Sequence, residues 1–213
     1  MNMIGRYTGK MKMKNISRTS ALMLLTVLTA CQSNGSSSSL GVLDSGNKEV
    51  KICSGFGCIY SAQLAFSGAD LKHINSVLKT DFATPADERK SLADLIAWKE
   101  RLAQSKLRMV TDTRLSYQRD AGKVGQMDCV DESSNTLAFI QFLDRNGLLK
   151  FNKPTRIVGR GFLFDGRYPH RTAVVRDIKG KDWAIDSWKK DGGKLPQVVE
   201  LAVWKKERGS EYR

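Results

Sequence analysis

Two stretches decide the fold: DCVDESSNTLAFIQFLDRNG, residues 128–147, and HRTAVVRDIKGKDWAIDSW, residues 170–188. In the first, Asp128 is a helix N-cap residue with a second acid, Asp131, three positions on. Phe139, Ile140 and Leu143 form one apolar stripe at helical spacing, and Leu137 and Phe142 widen it. The spacing predicts a helix from about Cys129 to Asn146, stopped by Asn146-Gly147. A helix apolar over most of its circumference is a central, buried one. Cys129 falls on its striped side. In the second stretch, Arg171–Arg176 and Trp183–Trp188 read as strands joined by a turn containing Gly180, and so as a hairpin.

Outward from these, Arg156–Phe164 reads as a further strand. On the N-terminal side, Ser67-Gly-Ala-Asp70 is a capping signature ahead of Leu71, Ile74 and Leu78. Thr84-Pro85-Ala86-Asp87 is a second start signal, with proline at the first helical position. Leu92, Leu95, Ile96 and Leu102 carry that helix to about residue 104. His73, in the first of these helices, is expected to be an ordinary surface histidine. Residues 106–126 lack periodicity and read as a long loop, and long loops inside compact domains are usually functional. Helices followed by antiparallel strands give class α+β, with the N-terminal helices and the Cys129 helix packed on an antiparallel sheet.

The first thirty residues read as an address. Lys10 to Arg18 is a basic segment, and Ala21–Ala30 is an apolar run too short to span a bilayer but right for a signal-peptide core. Leu28-Thr29-Ala30-Cys31 resembles the lipobox of bacterial lipoproteins, whose cysteine receives a diacylglycerol and becomes the new N-terminus. That resemblance implies a chain cut before Cys31 and anchored by lipid on it, facing the periplasm. Met1, Met11 and Met13 are alternative starts. Gln32, where an aspartate would imply retention at the inner membrane, points to the outer one. Gln32–Gly46 is Ser/Gly-rich and cannot bury enough apolar surface to fold. The expected organisation is a signal peptide over 1–30, a flexible tether over 31–47 and one folded domain over 48–213.

Composition narrows the function classes. The chain of 213 residues fits one domain plus extras, and its 41% hydrophobic content can bury a core. The net charge of +13 includes five bases and no acid in residues 1–30, so the mature chain carries +8. A basic surplus favours anionic partners, but the bases are scattered and no nucleic-acid motif accompanies them. No nucleic-acid partner and no cofactor are expected. The partners expected are the membrane, through Cys31, and a protein or peptide substrate in the cell envelope.

Of four cysteines, Cys31 is taken by lipid on this reading. Cys53 and Cys58, in CSGFGC, are a plausible disulfide in an oxidising compartment. Cys129 is then left over, either buried and inert or chemically used. A pairing of Cys129 with Cys53 or Cys58 would remove it as a nucleophile. The start of a helix favours a thiolate, while Asp128, Asp131 and Glu132 oppose it, so activation must come largely from a histidine. His170 opens the predicted hairpin behind Pro169. Asp186, mid-strand among apolar neighbours, needs a partner and would orient the His170 imidazole. Both must lie on one sheet face. Pairing Thr172 with Asp186 across a five-residue loop achieves this; a slip of one residue separates them.

The run Gln126-Met-Asp128-Cys129-Val-Asp131 with its helix, then Pro169-His170, then WAIDSW, resembles the bacterial transglutaminase-like cysteine proteinases over roughly residues 120–190. That resemblance implies a papain-like α+β core and a triad of Cys129 as nucleophile, His170 as base and acid, and Asp186 as orienter. Gln126 is an oxyanion-donor candidate beside the Cys129 amide. Members with acidic residues next to the cysteine bind calcium. Val130 departs from that pattern and leaves only Asp131 as a weak calcium ligand. The expected activity is acyl transfer by a peptidase, amidase or crosslinking enzyme. The rival expectation is a non-catalytic envelope lipoprotein with a binding or structural role.

Overall fold

The computed structural model describes residues 48–78, 81–116, 118–161 and 168–208. The expectations for the signal segment, Cys31 and the tether lie outside the described residues. The chain runs β1 (Glu49–Ser54), β2 (Tyr60–Ala65), α1 (Gly68–Leu78), α2 (Pro85–Leu107), α3 (Cys129–Arg145), β3 (Asn152–Arg160), β4 (His170–Asp177), β5 (Asp182–Asp186), β6 (Gln197–Glu200) and α4 (Leu201–Trp204). A single 3-10 turn, Gln118–Asp120, interrupts the loop between α2 and α3. The class is α+β, as expected. β1 and β2 form an antiparallel hairpin, and β3-β4-β5-β6 an antiparallel sheet in that order. No helix among the described residues is long and apolar enough to cross a membrane.

The helix starts follow the local chemistry of their caps. At Ser67 and at Thr84, hydroxyl and Asp carboxylate exchange hydrogen bonds with each other's backbone amides, closing capping boxes ahead of α1 and α2. α3 is the central element. It is buried on nearly all sides from Asp131 to Leu143 and packs against β1, β3, β4 and β5. Phe139, Ile140 and Leu143 meet Val175 and Ile185 of the sheet and Leu92, Leu95 and Ile96 of α2 in one core. The Phe66 ring sits 5.0 Å from that of Phe142 and 5.9 Å from that of Phe139, tying the hairpin to α3. His73 is exposed and lies with its ring 4.7 Å from that of Trp98.

Three features depart from the sequence expectations. The strand expected at 156–164 is Asn152–Arg160. Its early start follows from Glu88 of α2, whose buried carboxylate accepts the amides of Lys150, Phe151 and Asn152 at 2.5, 3.0 and 2.7 Å. Pro154 is tolerated there because β3 is an edge strand with a register shift between Pro154 and Arg156. The β1–β2 hairpin was not anticipated. Its signal was the alternation of buried Val50 and Ile52 with Glu49 and Lys51. β6 and the short α4 were likewise not expected.

Candidate active site

Cys129 owes its position to Asp128. The Asp128 carboxylate accepts the amides of Val130 and Asp131 at 3.1 and 2.9 Å, so Cys129 becomes the first helical residue. A capping side chain of this kind contributes about 1 kcal/mol. The same first turn is held from outside by the loop between β1 and β2. Cys53 and Cys58 are joined in a disulfide, and Gly55, Phe56, Gly57 and Cys58 all have positive φ. This backbone aims consecutive amides at one place, a ready anion cradle. Phe56 and Cys58 donate to the Asp131 carboxylate at 2.8 and 2.5 Å, and Gly57 to Asp128 at 3.2 Å. Asn135 adds a reciprocal pair with the Cys53 backbone, at 2.7 and 2.9 Å.

This geometry gives Asp131 a different task from the calcium ligand considered above. Both of its oxygens already accept amide protons, so it anchors the loop. The sulfurs of Cys53 and Cys58 lie within 4.8 Å of an Asp131 oxygen, but they are bonded to each other and offer no thiolate to a metal. Gln126 is also reassigned. Its side-chain amide donates to the Thr111 carbonyl at 2.9 Å, and its oxygen accepts from the Ser116 hydroxyl at 3.3 Å. It braces the loop over 111–116.

The Cys129 thiol is free and half-buried. Burial pushes its pKa up to about 11; the Arg171 amide, hydrogen-bonded to the sulfur, acts against this, and the Asp128 and Asp186 charges add to it. The helix start therefore does not by itself yield a thiolate at neutral pH. Its sulfur lies against the peptide that joins His170 to Arg171, at the first residues of β4.

His170 and Asp186 are brought together. Nε2 of His170 lies 2.7 Å from Oδ2 of Asp186, both side chains being almost fully buried. The hairpin pairs Ala173 with Ile185 and Arg176 with Asp182, which continues to Thr172 opposite Asp186, the register parity requires. With Nε2 committed to the carboxylate, Nδ1 is buried and has no hydrogen-bond partner among the described residues. In the neutral imidazole Nε2 then carries the proton, and Nδ1 is the lone-pair acceptor.

Two tryptophans complete the pair, and sequence reasoning missed both. Trp204 donates its indole N–H to the same Asp186 oxygen at 2.8 Å, and its ring centre is 5.5 Å from that of His170. Trp188 stands 4.8 Å from the imidazole on centroids. Arg160 lies with its guanidinium 4.3 Å from the Trp204 ring centre and donates to the Trp204 carbonyl. Nothing local in LAVW marks Trp204 as a partner of Asp186; the contact depends on β6 pairing with β5.

Glu132 of α3 forms a buried acidic group with Glu100 of α2 and Asp112 of the following loop, with Lys99 beside them. Oε1 of Glu100, Oδ2 of Asp112 and Oε2 of Glu132 have no hydrogen-bond partner among the described residues. Burial, reinforced by the neighbouring carboxylates, raises Glu132 well above the usual range, while Lys99 opposes it. Burial likewise raises Asp112 from 3.8 to about 7, against hydrogen bonds from Met127 and Ser116. A carboxyl raised in the folded state supports folding fully below about pH 4 and loses that support as pH climbs to about 7. Glu132→Gln removes one of the crowded ionisable carboxyls. It should raise the melting temperature at pH 8 by about 2–4 °C and leave it nearly unchanged at pH 5. Thermal melts at the two pH values check this, and an equal shift at both would refute it.

Comparison of the chain with protein-family models, curated proteins and solved structures finds no match.

Proposed function

We propose that this chain is an exported, lipid-anchored cysteine hydrolase of the bacterial envelope, with a papain/transglutaminase-like core, acting on amide or ester bonds. The observation that supports it best is the buried His170–Asp186 pair, whose free Nδ1 belongs to the residue flanking the amide that holds the Cys129 thiol. In the proposed reaction Nδ1 takes the thiol proton as sulfur attacks the carbonyl carbon. The tetrahedral adduct collapses, and the protonated imidazole delivers that proton to the departing amine or alcohol. The product acyl group remains on sulfur as a thioester. Water, deprotonated by the same nitrogen, resolves it to a carboxylic acid; an amine would instead give a new amide. Asp186 fixes the imidazole tautomer and stabilises its cation, and Trp204 holds Asp186. Export and lipid on Cys31 rest on residues 10–31 of the sequence.

The raised thiol pKa favours the rival reading, a non-catalytic envelope protein with an inert cysteine. Turnover separates the two. On a pooled set of fluorogenic peptide amides, Cys129→Ala should lower the rate by about 1,000-fold or more. Full turnover by the alanine variant would eliminate the proposal.

A further inference from the structure

Beside the His170 stack lies a cleft of about 410 Å³ lined by Arg114, Leu115, Lys189, Lys190 and Gln197. Trp188 links its lining residues to the candidate site. The Leu115 amide donates to the Trp188 carbonyl at 3.1 Å, the Trp188 ring faces His170, and Lys189 is the next residue. The two walls are fixed to each other by hydrogen bonds. Arg114 donates its amide to Asp191 at 3.1 Å, and Gly192 donates its own to the Asp112 carbonyl at 2.9 Å. Gln126 braces the same loop from behind.

The charge of this cleft is one-sided. Glu207 is taken by Lys189 at 2.5 Å and Arg160 at 3.0 Å, with Gln197 donating to its other oxygen at 2.8 Å. Arg114 and Lys190 are exposed, and among the described residues neither side chain has a carboxylate within salt-bridge distance. Asp191, which adjoins them, accepts from the Arg114 amide and leaves its guanidinium free. Two cations without a salt-bridge partner among the described residues thus line one recess with Leu115 and Gln197. A guanidinium fork and an ammonium lining one recess suit a carboxylate.

We infer that this cleft is a subsite for an acidic side chain, Glu or Asp, of the peptide substrate, bound by Arg114 and Lys190 close to the bond that is cleaved. The inference rests on Cys129 being the nucleophile. The recess is a bounded cleft large enough for an acidic residue and its neighbours in a peptide, and its lining residue Lys189 follows Trp188 of the imidazole stack, which favours a substrate segment over a broad anionic surface.

The experiment uses two sets of thiol-reactive peptides that differ in one residue, Glu or Lys. Peptidyl acyloxymethyl ketones sample positions before the bond, and N-chloroacetyl peptides sample positions after it. The rate of Cys129 labelling is read for each. At one position or more, the Glu peptide should react about tenfold faster than the Lys peptide, with the ratio shrinking as salt is raised. Arg114→Glu combined with Lys190→Glu should invert that ratio, and Arg114→Gln or Lys190→Gln alone should reduce it. Each ratio is internal to one variant, so unequal folding does not mimic the effect. Equal Glu and Lys rates at every position, or a ratio untouched by the double variant, overturn the subsite. Loss of binding to phosphatidylglycerol vesicles in the double variant, with flat peptide ratios, would assign the cations to a lipid surface and also overturn it. Failure of the enzyme reading looks different: plain iodoacetamide would label Cys129 equally with and without His170.

Discussion

His170→Ala should slow alkylation of Cys129 by iodoacetamide at pH 7 by about 100-fold or more. The thiolate is the reacting form, and burial has pushed the Cys129 thiol up to about 11. Left alone, such a thiol is ionised in only about one molecule in 10,000 at pH 7. A base that shares the proton removes that limit, and Nδ1 of His170, buried and without a hydrogen-bond partner among the described residues, is the group proposed for it. The pH dependence separates base catalysis from simple access. Without the imidazole the rate should rise about tenfold per pH unit through pH 9, whereas the native chain should give a much flatter profile. His170→Gln, closer in volume, should behave as the alanine variant does. Equal rates and parallel profiles in native and variant chains would leave Cys129 an inert cysteine and favour the non-catalytic reading.

Asp186→Ala should produce the second large effect, on turnover and on stability together. One oxygen of Asp186 receives both His170 Nε2 and Trp204 Nε1, at 2.7 and 2.8 Å in the interior. Removing it strands two buried donors, at about 1–3 kcal/mol each, and frees the imidazole to take the wrong tautomer. Turnover of peptide amides should fall by about 100- to 10,000-fold, with a lowered melting temperature. Asp186→Asn keeps an oxygen that can accept from both donors, so it should retain more stability and more turnover than alanine. Trp204→Phe removes one donor and keeps the ring. It should lower turnover far less than Asp186→Ala does. If alanine and asparagine at 186 were equivalent in both measurements, Asp186 would be filling space and not holding the histidine.

Both predictions turn on features of very different visibility in the sequence. The α+β class, the start of α3 and the pairing of His170 with Asp186 were legible because each rests on short-range rules. Asp128 caps the helix that begins at the next residue. The apolar spacing of residues 137–143 matches a helix buried all round. The parity of 172 and 186 follows from side chains alternating along two strands joined by a short loop. The Cys53–Cys58 link was legible as one plausible pairing, from the close spacing in CSGFGC and the oxidising compartment expected for an exported chain.

What only the tertiary structure decided lies between segments distant in the chain. The loop of Gly55–Cys58 reaches Asp131 more than seventy residues away and gives a weak calcium candidate the work of an anchor. Glu88 reaches Lys150–Asn152 and moves a strand start by four residues. Trp204 reaches Asp186 through β6, and Gln126 turns into the loop it braces. Local periodicity encodes which face of an element is buried. It carries no information about which distant amide will satisfy a buried carboxylate, because that is fixed only when the whole core packs and each buried polar atom must find a partner.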